Sequence, residues 1–124
     1  MLHLTIPSQM AIIQAIMARR RSYTLVYANV TVKDHLRTID TKYHALIRAT
    51  IAEQLQFEPA VATRNRKPLQ QPAAFEAQWE IRFGPDNRFR VLYDINEEEH
   101  QVLILAIGEK EQERVLVGGK EIKL

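Results

Sequence analysis

Two short segments place arginines where they could contact a phosphate backbone. They read Trp79-Glu-Ile-Arg-Phe83 and Phe89-Arg-Val-Leu-Tyr-Asp-Ile95, and both alternate apolar with polar residues. Such alternation predicts β-strands, in which every second side chain lies on the same face. Arg82 and Arg90 should then be cross-strand neighbours, with Glu80 on the same face. Guanidinium groups match phosphate oxygens and stay charged at any cellular pH, so this face could bind RNA.

A simpler interpretation of the same pattern needs no chemistry. Arg82 could pair with Glu80 or Asp94 in a solvated salt-bridge ladder across the strands. Alternation alone favours this second interpretation, and it does not establish a site.

The elements before these strands favour a sheet with helices. Residues 23–30 are rich in β-branched and aromatic side chains, which predicts a first strand. Residues 32–39 and 41–57 carry apolar residues at helical spacing and predict a helical hairpin. Asp40 is a suitable N-cap for the longer helix, and Pro59 follows its end.

The second half of the chain predicts an antiparallel meander. Residues 58–72 contain three prolines and a basic run without an apolar period, which indicates a loop. Strand and turn signals then alternate, over residues 78–83, 89–95, 101–107, 114–117 and 121–124. The order predicts an α+β fold: an N-terminal strand, a helical hairpin, then a three- to four-stranded antiparallel meander with the helices packed on one sheet face.

Composition favours one cytoplasmic domain. The 124 residues are 46% apolar, enough for a single core, and no tract is long or apolar enough to predict a membrane span. The absence of cysteine fits a reducing compartment, and the four histidines have no metal-binding spacing, so we expect no metal and no cofactor. Residues 1–70 carry ten Lys/Arg against four Asp/Glu, whereas residues 71–124 carry seven against eleven, so basic clusters matter more than the net charge of +2.

Residues 1–22 form an extension ahead of the predicted domain at residues 23–124. Its apolar stripe, Ala11, Ile12, Ala15 and Ile16, has helical spacing and precedes three arginines. It could pack on the domain, contact another copy, or result from the choice of start site, because Met17 is an alternative first residue.

Three segments together resemble the RelE/ParE toxin superfamily. They are Trp79-Glu-Ile-Arg-Phe83, Arg88-Phe-Arg-Val-Leu-Tyr-Asp-Ile95 and Ile104-Leu-Ala-Ile-Gly108, in the order that the RelE-like branch has behind its helical hairpin. The resemblance covers about four-fifths of the chain, from Tyr23 onward. It implies the toxin of a type II toxin–antitoxin system, and most directly an endoribonuclease (mRNA interferase) that cleaves messenger RNA on the ribosome by metal-independent attack of a 2′-hydroxyl on the adjacent phosphate.

The resemblance also assigns the catalytic positions. Arg82, Arg90 and Lys110 match cationic positions of RelE, where fixed charges stabilise the transition state. Two positions depart, because Glu80 replaces a lysine and Leu116 replaces a tyrosine implicated in catalysis. Glu80 could act as general base, as carboxylates do in some relatives of this fold, although a surface ion pair with Arg82 is the favoured interpretation. The additional candidates for RNA contact are Arg64, Arg66, Lys67 and Arg114.

The departures at Glu80 and Leu116 leave two further functions open. One is a ParE-like toxin that acts on DNA gyrase by binding, and the other is an inactive homologue that acts as a binding protein. In either toxin version the resemblance implies a separately encoded antitoxin as partner, and it is compatible with a homodimer or a heterotetramer with that antitoxin.

Overall fold

The chain folds as a seven-stranded sheet with two helices packed on one face, which confirms the predicted α+β class. The computed structural model describes residues 22–124 together with Gln9. The predicted N-terminal extension therefore lies outside the described residues, apart from Gln9 and Ser22. The helices are α1 (Val30–Arg37) and α2 (His44–Leu55), and the strands are β1 (Thr24–Tyr27), β2 (Arg66–Pro68), β3 (Trp79–Phe83), β4 (Phe89–Asn96), β5 (Gln101–Glu111), β6 (Arg114–Val117) and β7 (Lys120–Ile122).

A side-chain cap explains where α1 begins, and a second one begins the 3-10 turn that precedes α2. Asn29 accepts a hydrogen bond from the backbone N–H of Thr31 at 2.9 Å, and α1 starts directly after it, so the predicted first strand ran too far. Asp40 is a cap, as predicted, but it accepts from the N–H of Lys42 at 3.0 Å and so begins a short 3-10 turn that leads into α2. Both helices are one turn or less from their predicted bounds.

The sheet is organised around β5, which is longer than the sequence predicts. Strands β2 to β7 lie side by side in chain order, so the meander has more strands than the three or four expected. The first half of β5 pairs in parallel with β1, and its second half pairs antiparallel with β6. A bulge opposite Leu92 and Tyr93 inserts Leu105 and changes the face on which the following β5 residues lie.

The helix-side face of the sheet carries the main core. Ile47, Ile51 and Leu55 of α2 are buried in one cluster with Phe89 and Tyr93 of β4. The Tyr93 hydroxyl donates to the carbonyl of Pro59 at 2.7 Å, and burial raises the pKa of this phenol. This face confirms the predicted inward alternation of β3 and β4.

The face of the sheet away from the helices carries a second, smaller core. Ala77, Leu92, Ala106 and Val117 form a second buried cluster there, because the chain between β2 and β3 crosses this face. Within this crossing segment, the side chain of Gln71 donates to the carbonyl of Ala77 at 3.0 Å, which stabilises the conformation of the segment. The crossing segment thus covers the part of the face around Leu92 and Ala106.

The prediction of a continuous loop over residues 58–72 is wrong at Arg66–Pro68. These residues form the edge strand β2, paired with β3 in the register Arg66↔Ile81 and Pro68↔Trp79. A proline is tolerated there because an edge strand needs no donor on its outer side.

The described residues contain no helix long and apolar enough to cross a membrane.

Candidate nucleic-acid interface

Arg82 and Arg90 are direct cross-strand partners, as the alternation predicts. They lie opposite one another in the β3–β4 register, and Arg90 lies opposite Gly108 on its other side. A Cβ at Gly108 would come within 2.9 Å of the carbonyl oxygen of Leu116, so β6 approaches too closely for a side chain here. The two arginines therefore have no side chain beside them on β5 at this row.

Glu80 forms the predicted ion pair with Arg82, but it is buried, so the expected surface exposure of the pair is wrong. Its side chain is 0% exposed, and its Oε1 accepts from Nε of Arg82 at 2.5 Å. Within the described residues its Oε2 has no hydrogen-bond partner. Arg82 is 39% exposed, so the carboxylate binds the guanidinium from below and leaves part of it facing solvent. Glu80 thereby fixes the position of Arg82.

Arg90 is a buried cation fixed by backbone carbonyls. Its side chain donates through one terminal nitrogen to the carbonyl of Asn87 and, at 3.4 Å, to that of Phe89, while its Nε has no partner in the described part of the chain. Burial lowers the pKa of Arg90, the neighbouring Arg82 cation lowers it further, and Glu80 opposes both effects. A guanidinium remains protonated even so, which leaves positive charge held just beneath the surface.

The turn that holds Arg90 has an unusual backbone. Asp86 and Asn87 both have φ of 53°, a left-handed conformation that side chains other than Asn and Asp adopt rarely. Gly84 has φ of 84°, and a Cβ there would come within 2.6 Å of the Phe89 ring. Residue types at this turn are therefore dictated by the backbone that presents the Asn87 carbonyl to Arg90.

A cleft of about 540 Å³ lies beside the Glu80–Arg82 pair. Lys67, Gln70, Gln71 and Leu124 line it together with that pair. Lys67 is exposed and lies opposite Glu80 in the β2–β3 register, so it adds a second cation at the entrance. The arrangement can bind an anion between Lys67 and the exposed part of Arg82.

Lys110 is not brought into this cleft. It lies in a neighbouring cleft of about 420 Å³ with Asp86 and Arg88. Arg88 donates to Glu109 at 2.6 Å, which raises the pKa of Arg88, and its guanidinium lies 4.9 Å from the centre of the Tyr43 ring. The resemblance groups Lys110 with Arg82 and Arg90 as catalytic positions, whereas the structure places Lys110 and Arg82 in different clefts.

The additional cations have different environments. Arg66 is 7% exposed and donates to the carbonyl of Gln54 in α2, so its placement is that of a structural link between β2 and α2. Arg64 and Arg114 are exposed, in the loop before β2 and at the start of β6. The alternation of strand residues could not reveal the burial of Arg66, because arginine is rarely buried.

Sequence reasoning missed the segment that crosses the face, residues 69–77, and with it Gln71. The closely spaced alanines Ala73, Ala74 and Ala77 were a usable signal, since small residues permit close packing of a backbone on a sheet. No group of three His, Asp or Glu side chains within residues 22–124 is arranged to hold a metal ion.

The fold belongs to the class of small α+β domains with a helical pair on an antiparallel meander. A search of solved structures finds the toxin–antitoxin complex RelBE2 from Mycobacterium tuberculosis, a chain of which aligns with a TM-score of 0.59 and 24% sequence identity. The alignment covers 73% of this chain and 93% of that chain. No protein-family model and no curated protein matches the sequence. The chain therefore has the fold of a RelBE2 chain, which agrees with the RelE-like fold expected from the sequence.

Proposed function

We propose that this protein is the toxin of a type II toxin–antitoxin pair and that it cleaves messenger RNA on the ribosome. The observation that carries the proposal is the direct pairing of Arg82 with Arg90 across β3 and β4. The fold shared with a chain of a toxin–antitoxin complex supports the toxin class, and the arginine pair supports a phosphate-containing target.

The proposed chemistry needs cations and no metal. The 2′-oxygen bonds to the adjacent phosphorus while the bond to the 5′-oxygen breaks, and the proton lost by the 2′-hydroxyl balances the one gained by the leaving oxygen. Arg82 binds the phosphate directly, and the fixed charge of Arg90 stabilises the negative charge that develops on it. Charges that are already in position need no reorganisation during the reaction.

Glu80 is proposed to position Arg82 and not to act as general base. A base must come within hydrogen-bond distance of the 2′-hydroxyl, and Glu80 has no exposed surface from which to do so. The carboxylate instead holds one edge of the Arg82 guanidinium and directs the rest of it to the cleft. Lys110 is proposed to contact the RNA further along the strand, from its own cleft.

Lys67, Arg64 and Arg114 are proposed as sequence-independent phosphate contacts. All three are exposed, and Lys67 also lines the cleft beside Arg82. Arg66 is left out of this set because its side chain is committed to α2. The proposed partners are ribosome-bound messenger and a cognate antitoxin, and the proposed location is the cytoplasm.

A reconstituted translation system tests the proposal. Primer extension on the translated messenger should reveal cuts in phase with codons when the wild-type protein is added. Arg82→Ala should lower cleavage by about 100-fold or more. Arg82→Lys is assayed beside it, because it keeps the charge but not the planar fork, and should retain part of the activity. Lys33→Ala, an exposed site on α1, is the control and should cleave as the wild type does.

Intact messenger with wild-type protein would overturn the nuclease proposal. The commitment of Arg82 to Glu80 favours one alternative, a toxin that binds its target without chemistry, such as a ParE-like protein acting on DNA gyrase. A supercoiling assay with purified gyrase separates the two, since inhibition there with intact messenger would support the alternative. Absence of both effects and of growth arrest on induction would indicate an inactive binding homologue.

A further inference from the structure

The chain that leaves β2 contributes five consecutive residues to the lining of the cleft beside Arg82. They are Pro68, Leu69, Gln70, Gln71 and Pro72, and the cleft has a volume of about 540 Å³. A cleft of this size takes a ligand as large as a nucleotide. It therefore has room for a base next to the anion site formed by Lys67 and Arg82.

The side-chain amide of Gln71 has a fixed orientation in this lining. Its Nε2 donates to the backbone carbonyl of Leu69 at 3.3 Å and to that of Ala77 at 3.0 Å. These two bonds use both protons of the amide nitrogen, so they also settle which end of the amide faces the backbone. Gln71 is exposed, and none of the described residues donates to its Oε1, which leaves this oxygen as an acceptor for a ligand in the cleft.

Gln70 lines the same cleft but is held differently. It is exposed, and within residues 22–124 no hydrogen bond holds either end of its amide. An amide that can turn over offers either its oxygen or its nitrogen. Gln70 can thus adapt to any base, whereas Gln71 offers an acceptor alone.

Apolar surface for a base is present in the same cleft. Pro68 and Pro72 are exposed, and the side chain of Leu124 is 46% exposed. Unpaired bases pack against apolar side chains, and lysine and arginine neutralise the phosphates. The cleft thus combines cations, apolar surface and a fixed acceptor, which together suit one nucleotide of a single strand.

Bases differ in what they can donate to a fixed acceptor. Adenine, cytosine and guanine carry an exocyclic amine, whereas uracil carries carbonyl oxygens in its place. We propose that the cleft beside Arg82 holds one unpaired nucleotide of the RNA and that Gln71 selects a base with an exocyclic amine by accepting a hydrogen bond from it. A base without the amine leaves the Gln71 oxygen without a donor, which lowers the affinity. This inference rests on the proposed RNA-directed function and adds to it a preference among bases.

Two RNA strands that differ only in the amine test the proposal. One is an oligoadenylate with 2′-O-methyl groups, which cannot be cleaved by 2′-hydroxyl attack. The other is the same strand with purine riboside, which lacks the exocyclic amine, in place of adenosine. The wild-type protein should bind the oligoadenylate about tenfold more tightly, the effect of one hydrogen bond. Fluorescence anisotropy of end-labelled strands measures both affinities.

Substitutions at the two glutamines assign the preference. Gln71→Met removes the acceptor and should bind both strands equally, whereas Gln70→Met is the matched control and should keep the tenfold preference. A general loss of affinity cancels, because each variant is compared on two strands. Gln71→Lys is assayed beside them, since its ammonium can still donate to the two carbonyls but cannot accept, and it too should lose the preference.

Three results would overturn the role of Gln71. They are equal binding of the two strands by the wild type, a preference that persists in both Gln71 variants, and a preference that Gln70→Met abolishes. A thermal melt of each variant checks that it is folded. If Gln71→Met does not fold, Gln71→Lys decides the outcome.

Cleavage of translated messenger separates this inference from the function on which it rests. If the wild type cuts messenger but has no preference between the strands, or binds neither, base selection by Gln71 is wrong and the nuclease function stands. If it has the preference, loses it in the Gln71 variants and cuts nothing, the cleft is a nucleotide site and the nuclease proposal alone fails. If it has no preference and cuts nothing, both proposals fail.

Discussion

The two faces of the sheet are built on different principles. On the helix side, residues such as Phe89 and Tyr93 are buried among apolar side chains of α2, and shape and volume decide the packing. On the other side a few small residues pack around Leu92, and next to them Glu80, Arg82 and Arg90 are held by ion pairing and backbone carbonyls. We infer that the first face carries most of the stability, so that the second can hold like charges close together.

Removing a buried ring from the helix face should destabilise the protein most. Phe89→Ala should lower the free energy of unfolding by about 3–5 kcal/mol, because the ring is fully buried between Tyr43 and Phe83 and leaves a cavity. Leu92→Ala on the opposite face should cost about 2–3 kcal/mol, because the crossing segment can partly collapse onto the gap. Urea denaturation measures both. Equal losses, or a larger loss at Leu92, would contradict the division between the faces.

The second prediction concerns two ion pairs. Arg82→Ala should lower the free energy of unfolding by about 3 kcal/mol, since it leaves the Glu80 carboxylate buried without its partner. Arg88→Ala should cost no more than about 1 kcal/mol, since the Arg88–Glu109 pair is partly solvated. The comparison uses the same denaturation assay. Similar losses of stability in the two variants would mean that the buried Glu80 carboxylate is not stabilised by Arg82.

Two glycines provide the third comparison. Gly84→Ala should destabilise by about 2 kcal/mol, because both its φ of 84° and the nearby Phe89 ring oppose a Cβ. Gly119→Ala should cost about 1 kcal/mol, because its φ of 81° is unfavourable but no atom lies within 4 Å of the added carbon. Thermal unfolding measures the stability of both variants. Equal destabilisation by Gly119→Ala and Gly84→Ala would mean that the contact between the added Cβ and the Phe89 ring does not contribute.

The smallest expected effect is a pH dependence at the edge of β5. Burial lowers the pKa of His35, with Asp34 opposing it, so the folded protein binds this proton less readily than the unfolded chain does. Stability should therefore be complete above the unfolded pKa, about 6.5 for histidine, and decline as the pH falls through the depressed folded value. His35→Asn keeps an acceptor for the Ile107 N–H but does not titrate, so its stability should fall less between pH 7 and pH 5. An identical decline in both proteins would rule His35 out as the cause.

Much of the fold could be predicted because its determinants are local. The alternation in β3 and β4 gave the cross-strand pairing of Arg82 with Arg90, and helical spacing gave both helices. What could not be predicted depends on partners distant in sequence. The bulge at Leu105 leaves no periodic signal in β5, and the pairing of β2 with β3 leaves none in residues 66–68.

The sequence predicted which residues the candidate site contains, but it did not predict which of them are buried. Glu80 and Arg66 are charged, and charged side chains in a strand or a loop are usually exposed, so the expectation of exposure was reasonable. Their burial results from the crossing segment and from α2, respectively. The role of Lys110 and of the exposed cations Arg64, Lys67 and Arg114 stays a prediction.

The parallel pairing of β1 with β5 has a consequence for how the protein assembles. The first described strand, β1, can pair with Gln101–Ile104 only after all of the intervening chain has been made. Closing so long a loop is entropically costly, and contacts of this separation slow folding. During synthesis β1 therefore stays unpaired until β5 has been made. Strands β3 and β4, which carry Arg82 and Arg90, are close in sequence and can form a hairpin before then. The sheet can therefore be completed only when translation has passed β5.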